Sequence, residues 1–275
     1  MNINNKRILL TGATGGLGEK IALKLAQKGA VLALVGRNQT KLNMLQASIE
    51  AFGATAFTIQ ADLSQPNIAN AVFNQAKAHL GEIDVLINNA GVLDFIELQD
   101  QSDNRIAEVI QTNVTALIQL TRAILPDFQH KNKGHFLFVG SIFGSLGFPH
   151  FATYCASKFA VHGFSQALRR ELVNTHIGIT YIAPRGIETS MNNANTIAMW
   201  AKSGSTVDSP EKVAAIIVNA LEKERQEVFI GQPQTFFAWL NGVSPKAVNF
   251  GLKKQTALAA PFAKKIVFEF SSVFI

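Results

Sequence analysis

Tyr154 and Lys158 stand four residues apart in the run SIFGSLGFPHFATYCASK, which opens at Ser141. On a helix that spacing puts both side chains on one face, a turn apart. A free tyrosine titrates near ~10 and moves protons poorly at neutral pH. A nearby lysine ammonium favours the phenolate and lowers that value. The pair therefore has the composition of a general acid/base and its tuner. Ser141 lies thirteen residues before Tyr154, and its hydroxyl can hold a carbonyl oxygen beside the phenol. A surface lysine next to a half-buried tyrosine shows the same spacing, so the weight falls on the elements around the pair.

Those elements alternate. Ile8-Leu9-Leu10 is a short apolar run, and TGATGGLG follows at residues 11–18. Ile21, Ala22, Leu25 and Ala26 then recur at helical spacing, and Gly29 ends the helix. Residues 31–35 are continuously apolar, as in a parallel strand covered on both faces. The same reading predicts helices over 40–52, 67–80, 103–125, 153–175 and 210–223. It predicts strands over 54–60, 83–87, 135–140, 177–183 and 227–230. Strands alternating with helices in this way indicate an α/β fold with a doubly wound parallel sheet. The expected organisation is one Rossmann-type dinucleotide-binding and catalytic domain at 1–231, with a hydrophobic, basic helical tail at 232–275.

Composition narrows the class. At 275 residues and 16% charged, the chain is long enough to bury most of its apolar surface. Its single cysteine, Cys155, excludes an intramolecular disulfide and fits a reducing compartment. Polar residues 1–6 run straight into a strand, so no signal peptide is expected, and no run reaches the ~18 apolar residues of a membrane span. A cytoplasmic location is expected, with membrane association through the tail as an added reading. No His/Cys/Asp cluster has ligand spacing, so no metal is expected, and no nucleic-acid partner. His162 reads as a packed or surface residue, and Cys155 as an inert packed thiol.

Gly12, Gly16 and Gly18 fall between a strand and a helix. Glycine there lets the backbone approach a pyrophosphate, and the helix N-terminus offers it unpaired N–H groups. A flexible turn is the plain alternative, and the position after the first strand favours the cofactor. Enzymes that take NAD place an acid after the second strand. Here that place reads Val35-Gly36-Arg37. Arg37 can pair with a 2′-phosphate, so NADP(H) is expected over NAD(H). Asp62 follows the third strand, where its carboxylate can accept from an adenine amine; a helix-capping role for Ser64 or Asp62 is the plain alternative, compatible with the first.

In order and spacing, TGATGGLG, Asn88-Asn89-Ala90-Gly91, Asn113 in QTNVTA, Ser141, and Tyr154 with Lys158 resemble the short-chain dehydrogenase/reductase family. The resemblance covers about residues 5–231. It implies hydride transfer between a nicotinamide and a carbonyl or alcohol, a small-molecule substrate, and homo-oligomers. It implies that Tyr154 is the acid/base, that Lys158 lowers its pKa and holds the ribose, and that Ser141 orients the carbonyl. Asn113 would hold a water linking Lys158 to solvent. The cofactor would be held by Thr11, Gly12, Gly16, Leu17 and Gly18 at the pyrophosphate, and by Arg37, Asp62, Leu63, Asn89, Ala90 and Gly91. Val114 would flank it, and Pro184 and Thr189 would meet the carboxamide side. One departure is Pro184-Arg185-Gly186 where the family has Pro-Gly, which leaves Arg185 as a substrate contact, a cap on the pocket, or an exposed side chain.

The segment 191–200 mixes Met191, Ile197, Met199 and Trp200 with asparagines, as a substrate lid or a surface helix with an apolar underside would. From 231 to 275 there are five lysines and one acid among many aromatics. Such a tail can lie in a bilayer interface, or cover the substrate pocket or a neighbouring subunit; the second reading is preferred. Either way the substrate is expected to be lipophilic. Two other functions share these features: a non-catalytic NADP(H)-binding sensor or scaffold, and a nucleotide-sugar epimerase. The first does not need all four catalytic-type residues. The second usually needs a larger C-terminal domain.

Overall fold

The computed structural model of the chain describes residues 1–263. Seven parallel strands form one sheet, because each apolar run is followed by a helix that must cross over before the next strand. The strands are β1 (Arg7–Thr11), β2 (Val31–Gly36), β3 (Ala56–Gln60), β4 (Val85–Asn88), β5 (Gly134–Val139), β6 (Ile177–Pro184) and β7 (Glu227–Ile230). Their order is β3-β2-β1-β4-β5-β6-β7. The order reverses between β1 and β4, where the carboxyl ends of the strands open a crevice.

The period of two along each strand feeds two cores. Ile8 and Leu10 of β1 face α1 (Gly16–Ala26), α2 (Gln39–Glu50) and α8 (Pro210–Glu222). Leu9 faces the other side, with α3 (Ile68–Leu80), α5 (Ala116–Lys131) and α6 (Ala152–Glu171). Both faces of the sheet are thus covered, which explains why its strands read as continuous apolar runs.

The single helix expected over 103–125 is broken. It divides into α4 (Asp103–Ile110), one π-helical turn at Gln111–Thr115, and α5. A π turn inserts one residue without ending the apolar stripe, so periodicity runs through it unmarked. The irregular stretch before α8 contains α7 (Ala194–Ser203). Beyond β7, the tail forms α9 (Gln234–Val243) and α10 (Pro245–Ala263). Ala259 and Ala263 of α10 are buried with Phe95, Phe151 and Met199, which seats the tail over the carboxyl end of the sheet. Among the described residues no helix is long and apolar enough to cross a membrane.

Candidate active site

The turn after β1 is a tight cradle whose backbone contacts exclude side chains at Gly12 and Gly18. Gly12 has φ +64°, and a Cβ there would lie 2.8 Å from the Ala90 Cα. A Cβ on Gly18 would collide with the Gly12 carbonyl and come within 2.9 Å of the Asn89 amide nitrogen. Helix α1 starts after Gly15 with no side-chain cap, so its first N–H groups remain available to an anion. Asn89 fixes the turn from β4, donating from Nδ2 to the Thr11 and Gly12 carbonyls at 3.1 and 3.2 Å. Thr11 is buried beneath the cradle. Its hydroxyl accepts from the Asn89 and Ala90 N–H groups, at 3.0 and 3.1 Å, and so ties β1 to β4 instead of reaching a ligand.

A cavity of about 620 Å³ runs from this cradle across the carboxyl end of the sheet. Gly12, Gly16, Leu17, Gly18, Arg37, Asp62 and Leu63 border it, as do Asn89, Ala90, Gly91, Pro184 and Thr189. So do Ser141, Tyr154 and Lys158. Thr11, Asn113 and Val114 do not. The Thr189 methyl sits over Gly16, where a Cβ would be 3.1 Å away. Asp62 Oδ1 accepts from the Ser64 N–H at 3.0 Å and closes a turn; neither residue caps α3, whose N-cap is Asn67. Lys41, in the first turn of α2, borders the cavity with Arg37 and was not singled out from the sequence. Its signal was its place one helical turn beyond the end of β2.

Ser141 and Lys158 converge on Tyr154. The Ser141 Oγ accepts from the Phe143 N–H at 3.1 Å, which leaves its proton free to donate. Burial pushes the Tyr154 phenol up to about 12, and a hydrogen bond from Ser141 pulls it back. The net direction is upward, opposite to the lowering expected of the phenol, because burial dominates. Lys158 is itself buried, which pushes its ammonium down to about 8. Its Nζ donates to the Val139 carbonyl at 2.9 Å and stands 5.7 Å from the centre of the Tyr154 ring. With burial the dominant influence, the Tyr154 phenol keeps its proton near neutral pH.

Asn113 lies on the π turn, fully buried behind Lys158. Its Nδ2 donates to the Val92 carbonyl and to Ser157 Oγ, both at 2.9 Å. Its Oδ1 accepts from the Val92 N–H at 2.8 Å. Three of its four hydrogen-bonding positions are thus filled by protein, leaving one lone pair on Oδ1. Tyr181 supports the same region, donating from its hydroxyl to the Ser141 carbonyl at 3.3 Å. His162 stacks on Tyr181 with ring centres 4.4 Å apart and is a packed residue. Cys155 is a buried thiol pushed up by burial, hence unreactive. Among the described residues no cluster of His, Cys, Asp or Glu could hold a metal.

Arg185 belongs to the framework. Its Nε and Nη2 donate to the two oxygens of Asp208 at 2.8 and 3.0 Å, and its Nη1 to the Gln232 carbonyl at 2.9 Å. A guanidinium so occupied has little left for a substrate. Beyond Tyr154 the cavity becomes apolar. Leu93, Phe148, Phe151, Met199, Trp200 and Phe237 line it there. On α7 Met199 is buried while Ile197 is exposed, so the helix turns its Met199 side to the chamber. Phe237, Val248 and Leu252 of the tail close its rim. Phe268, Phe270 and Phe274 lie outside the described residues.

Known proteins resemble this chain in sequence and fold. The short chain dehydrogenase family profile matches residues 6–199. The ketoacyl reductase HetN of Nostoc sp. is 31% identical over 230 residues, which cover 84% of this chain and 80% of that protein. A short-chain dehydrogenase/reductase from Burkholderia phymatum, solved with NAD, superposes with a TM-score of 0.81 at 23% identity, covering 90% of this chain and 96% of that one. A short chain dehydrogenase from Burkholderia cenocepacia, solved with NADP, gives a TM-score of 0.76 at 26% identity, covering 86% of this chain and 100% of that one. With its seven-stranded parallel sheet, its glycine cradle and the Ser141, Tyr154 and Lys158 side chains gathered at the carboxyl end, this chain belongs to the short-chain dehydrogenase/reductase family of oxidoreductases.

Proposed function

We propose that the chain is an NADP(H)-dependent reductase or dehydrogenase acting on a carbonyl or alcohol of a lipophilic substrate. The observation that carries this reading is the polarity of the cavity across the carboxyl end of the sheet. It runs from a backbone cradle with Arg37 and Lys41 at one end to a chamber of Phe148, Phe151, Met199 and Trp200 at the other, with Tyr154 between. The cradle fits a dinucleotide, because its glycines permit the tight backbone path after β1 and the α1 N-terminus is uncapped. Among the described residues no carboxylate pairs with Arg37, so its guanidinium is available to a 2′-phosphate.

Gly12, Gly16, Leu17 and Gly18 would hold the pyrophosphate, Arg37 and Lys41 the 2′-phosphate, and Thr189 the carboxamide. When bound, the cofactor supplies or accepts the hydride. Ser141 and Tyr154 donate hydrogen bonds to the carbonyl oxygen, where negative charge develops. Tyr154 gives that oxygen its proton, and a phenol held neutral by burial has the proton to give. Lys158, with its ammonium weakened by burial, is the next donor behind the phenol. The remaining lone pair of Asn113 is left to order a water toward solvent. The apolar chamber and the rim of α7, α9 and α10 exclude bulk water around the reacting atoms.

Initial rates with NADPH and NADH across aldehydes and ketones of increasing chain length test this reading. Turnover favouring NADPH and longer apolar chains is expected. No oxidation of either cofactor by any carbonyl overturns it, and a preference for short polar carbonyls overturns the lipophilic part.

A further inference from the structure

Helices α9 and α10 turn apolar faces to solvent at the rim of the cavity. On α9, Phe236, Trp239 and Val243 recur at i, i+3 and i+7 and so share one face. They are 51%, 62% and 67% exposed. The Phe236 ring lies 5.9 Å from that of Trp239. On α10, Phe250 is 76% exposed and shares its face with Lys246 and Lys253, opposite the buried Val248, Ala259 and Ala263. The Lys253 Nζ stands 5.6 Å from the Phe250 ring centre. Residues 231–263 contain three lysines and no acid. The inner sides of the same two helices supply Phe237, Val248, Leu252 and Gln255 to the cavity rim.

We propose that this rim docks on an anionic lipid surface, so that an apolar substrate enters the chamber directly from the bilayer. Its purpose rests on the lipophilic-substrate reading above, while the docking itself does not. An exposed apolar face on α9 beside the lysine-flanked Phe250 of α10 has the composition of helices lying in a bilayer interface. Tryptophan and phenylalanine sink into the headgroup boundary while lysine stems extend along them to the phosphates. The absence of any carboxylate in α9 and α10 removes the charge that anionic lipids would repel. A second copy of the chain fits this face less well. Protein interfaces are depleted in lysine at their centres, and like-charged faces of two copies would meet. Placing the face around the chamber mouth also removes the step in which an apolar substrate crosses water.

Flotation of the full chain with phosphatidylcholine vesicles, with and without phosphatidylserine, tests the proposal in the absence of cofactor and carbonyl. The chain should float with phosphatidylserine vesicles, more weakly with phosphatidylcholine alone, and added salt should weaken the former. Replacing three lysines together (Lys246→Gln, Lys253→Gln and Lys254→Gln) should lower binding to phosphatidylserine vesicles by roughly a hundredfold. Phe236→Ser with Trp239→Ser should lower binding to both kinds of vesicle. Circular dichroism and turnover of a water-soluble carbonyl show that the variants remain folded. Flotation of a chain that turns over no carbonyl supports the docking and removes only the catalytic reading. A parent chain that floats with neither vesicle overturns the proposal. So does binding that neither set of variants changes, or a dimer by light scattering that Phe236→Ser with Trp239→Ser splits.

Discussion

Asn113 closes both edges of its amide on the backbone of Val92, accepting from the N–H at 2.8 Å and donating to the carbonyl at 2.9 Å. Its second amide hydrogen goes to Ser157 Oγ, whose own proton goes to the Tyr154 carbonyl at 2.7 Å. One side chain on the π turn thus fastens the loop after β4 to the helix that carries Tyr154 and Lys158.

Asn113→Leu keeps the volume and removes these bonds, stranding the Val92 N–H and carbonyl. Unpaired buried backbone groups cost about 1–3 kcal/mol each. The variant should lose about 2–4 kcal/mol in urea melts, and kcat should fall with it because the tyrosine helix is released. An unchanged urea midpoint would show that Asn113 is not the fastening.

Tyr154→Phe removes the proposed proton donor and leaves the ring among Phe143 and Phe151. A drop in kcat of ~10² or more is expected, since general acid catalysis contributes ~10²–10⁴. NADPH binding, followed by fluorescence titration, should stay close to that of the parent. Parent-like turnover by the variant would remove Tyr154 from the chemistry.

Arg37→Glu should exchange the cofactor preference. It deletes the 2′-phosphate partner and places a carboxylate where a ribose hydroxyl can use it. A charge-assisted hydrogen bond is worth about 1.5–3 kcal/mol, so NADPH should weaken by about 10- to 100-fold. Gly36→Asp is the less clean route to the same end. A Cβ at Gly36 would sit 2.9 Å from Thr14 Oγ1, so the variant would also disturb the turn. Equal NADPH affinity in parent and Arg37→Glu would place discrimination elsewhere, with Lys41 next to be tested.

The sheet and the cradle were legible because their signals are local. A parallel strand buried on both faces must be apolar throughout, as residues 31–35 are. Gly12 and Gly18 are required by contacts within the turn and with β4. Tyr154 and Lys158 are tied by helical period. Features set by long-range pairing left no such trace. Arg185 finds Asp208 twenty-three residues on, so its local surroundings gave no sign of the pair. The π turn adds a residue without breaking the apolar stripe of α4 and α5. The phenol of Tyr154 was expected to be lowered, since sequence shows Lys158 nearby but shows neither its burial nor the Val139 carbonyl that it faces. The chamber is assembled from loops and the tail, where no periodicity marks which side chains turn inward.

His135 lies on β5, fully buried in the sheet and away from the cavity. Its Nε2 is 2.8 Å from Thr180 Oγ1. The Thr180 hydroxyl donates to the Arg225 carbonyl, so it is left to accept, and the histidine is neutral with its proton on Nε2. Burial pushes the imidazole down to about 4 from its ordinary 6.5, with Glu224 opposing and the chain's N-terminus adding. The folded value is the depressed one. Between these two values the unfolded chain binds a proton that the folded chain does not. The contribution of His135 is therefore fully present above about pH 6.5 and is lost as pH falls toward about 4. The shift corresponds to a loss of about 3 kcal/mol across that window. His135→Gln keeps a donor for Thr180 and does not titrate. In urea melts taken through the window, the parent should lose more stability than the variant by about that amount. Carboxylates common to both chains cancel in the difference. Parallel curves for parent and variant would mean that His135 is protonated in the folded protein, and that the buried neutral imidazole described here is wrong.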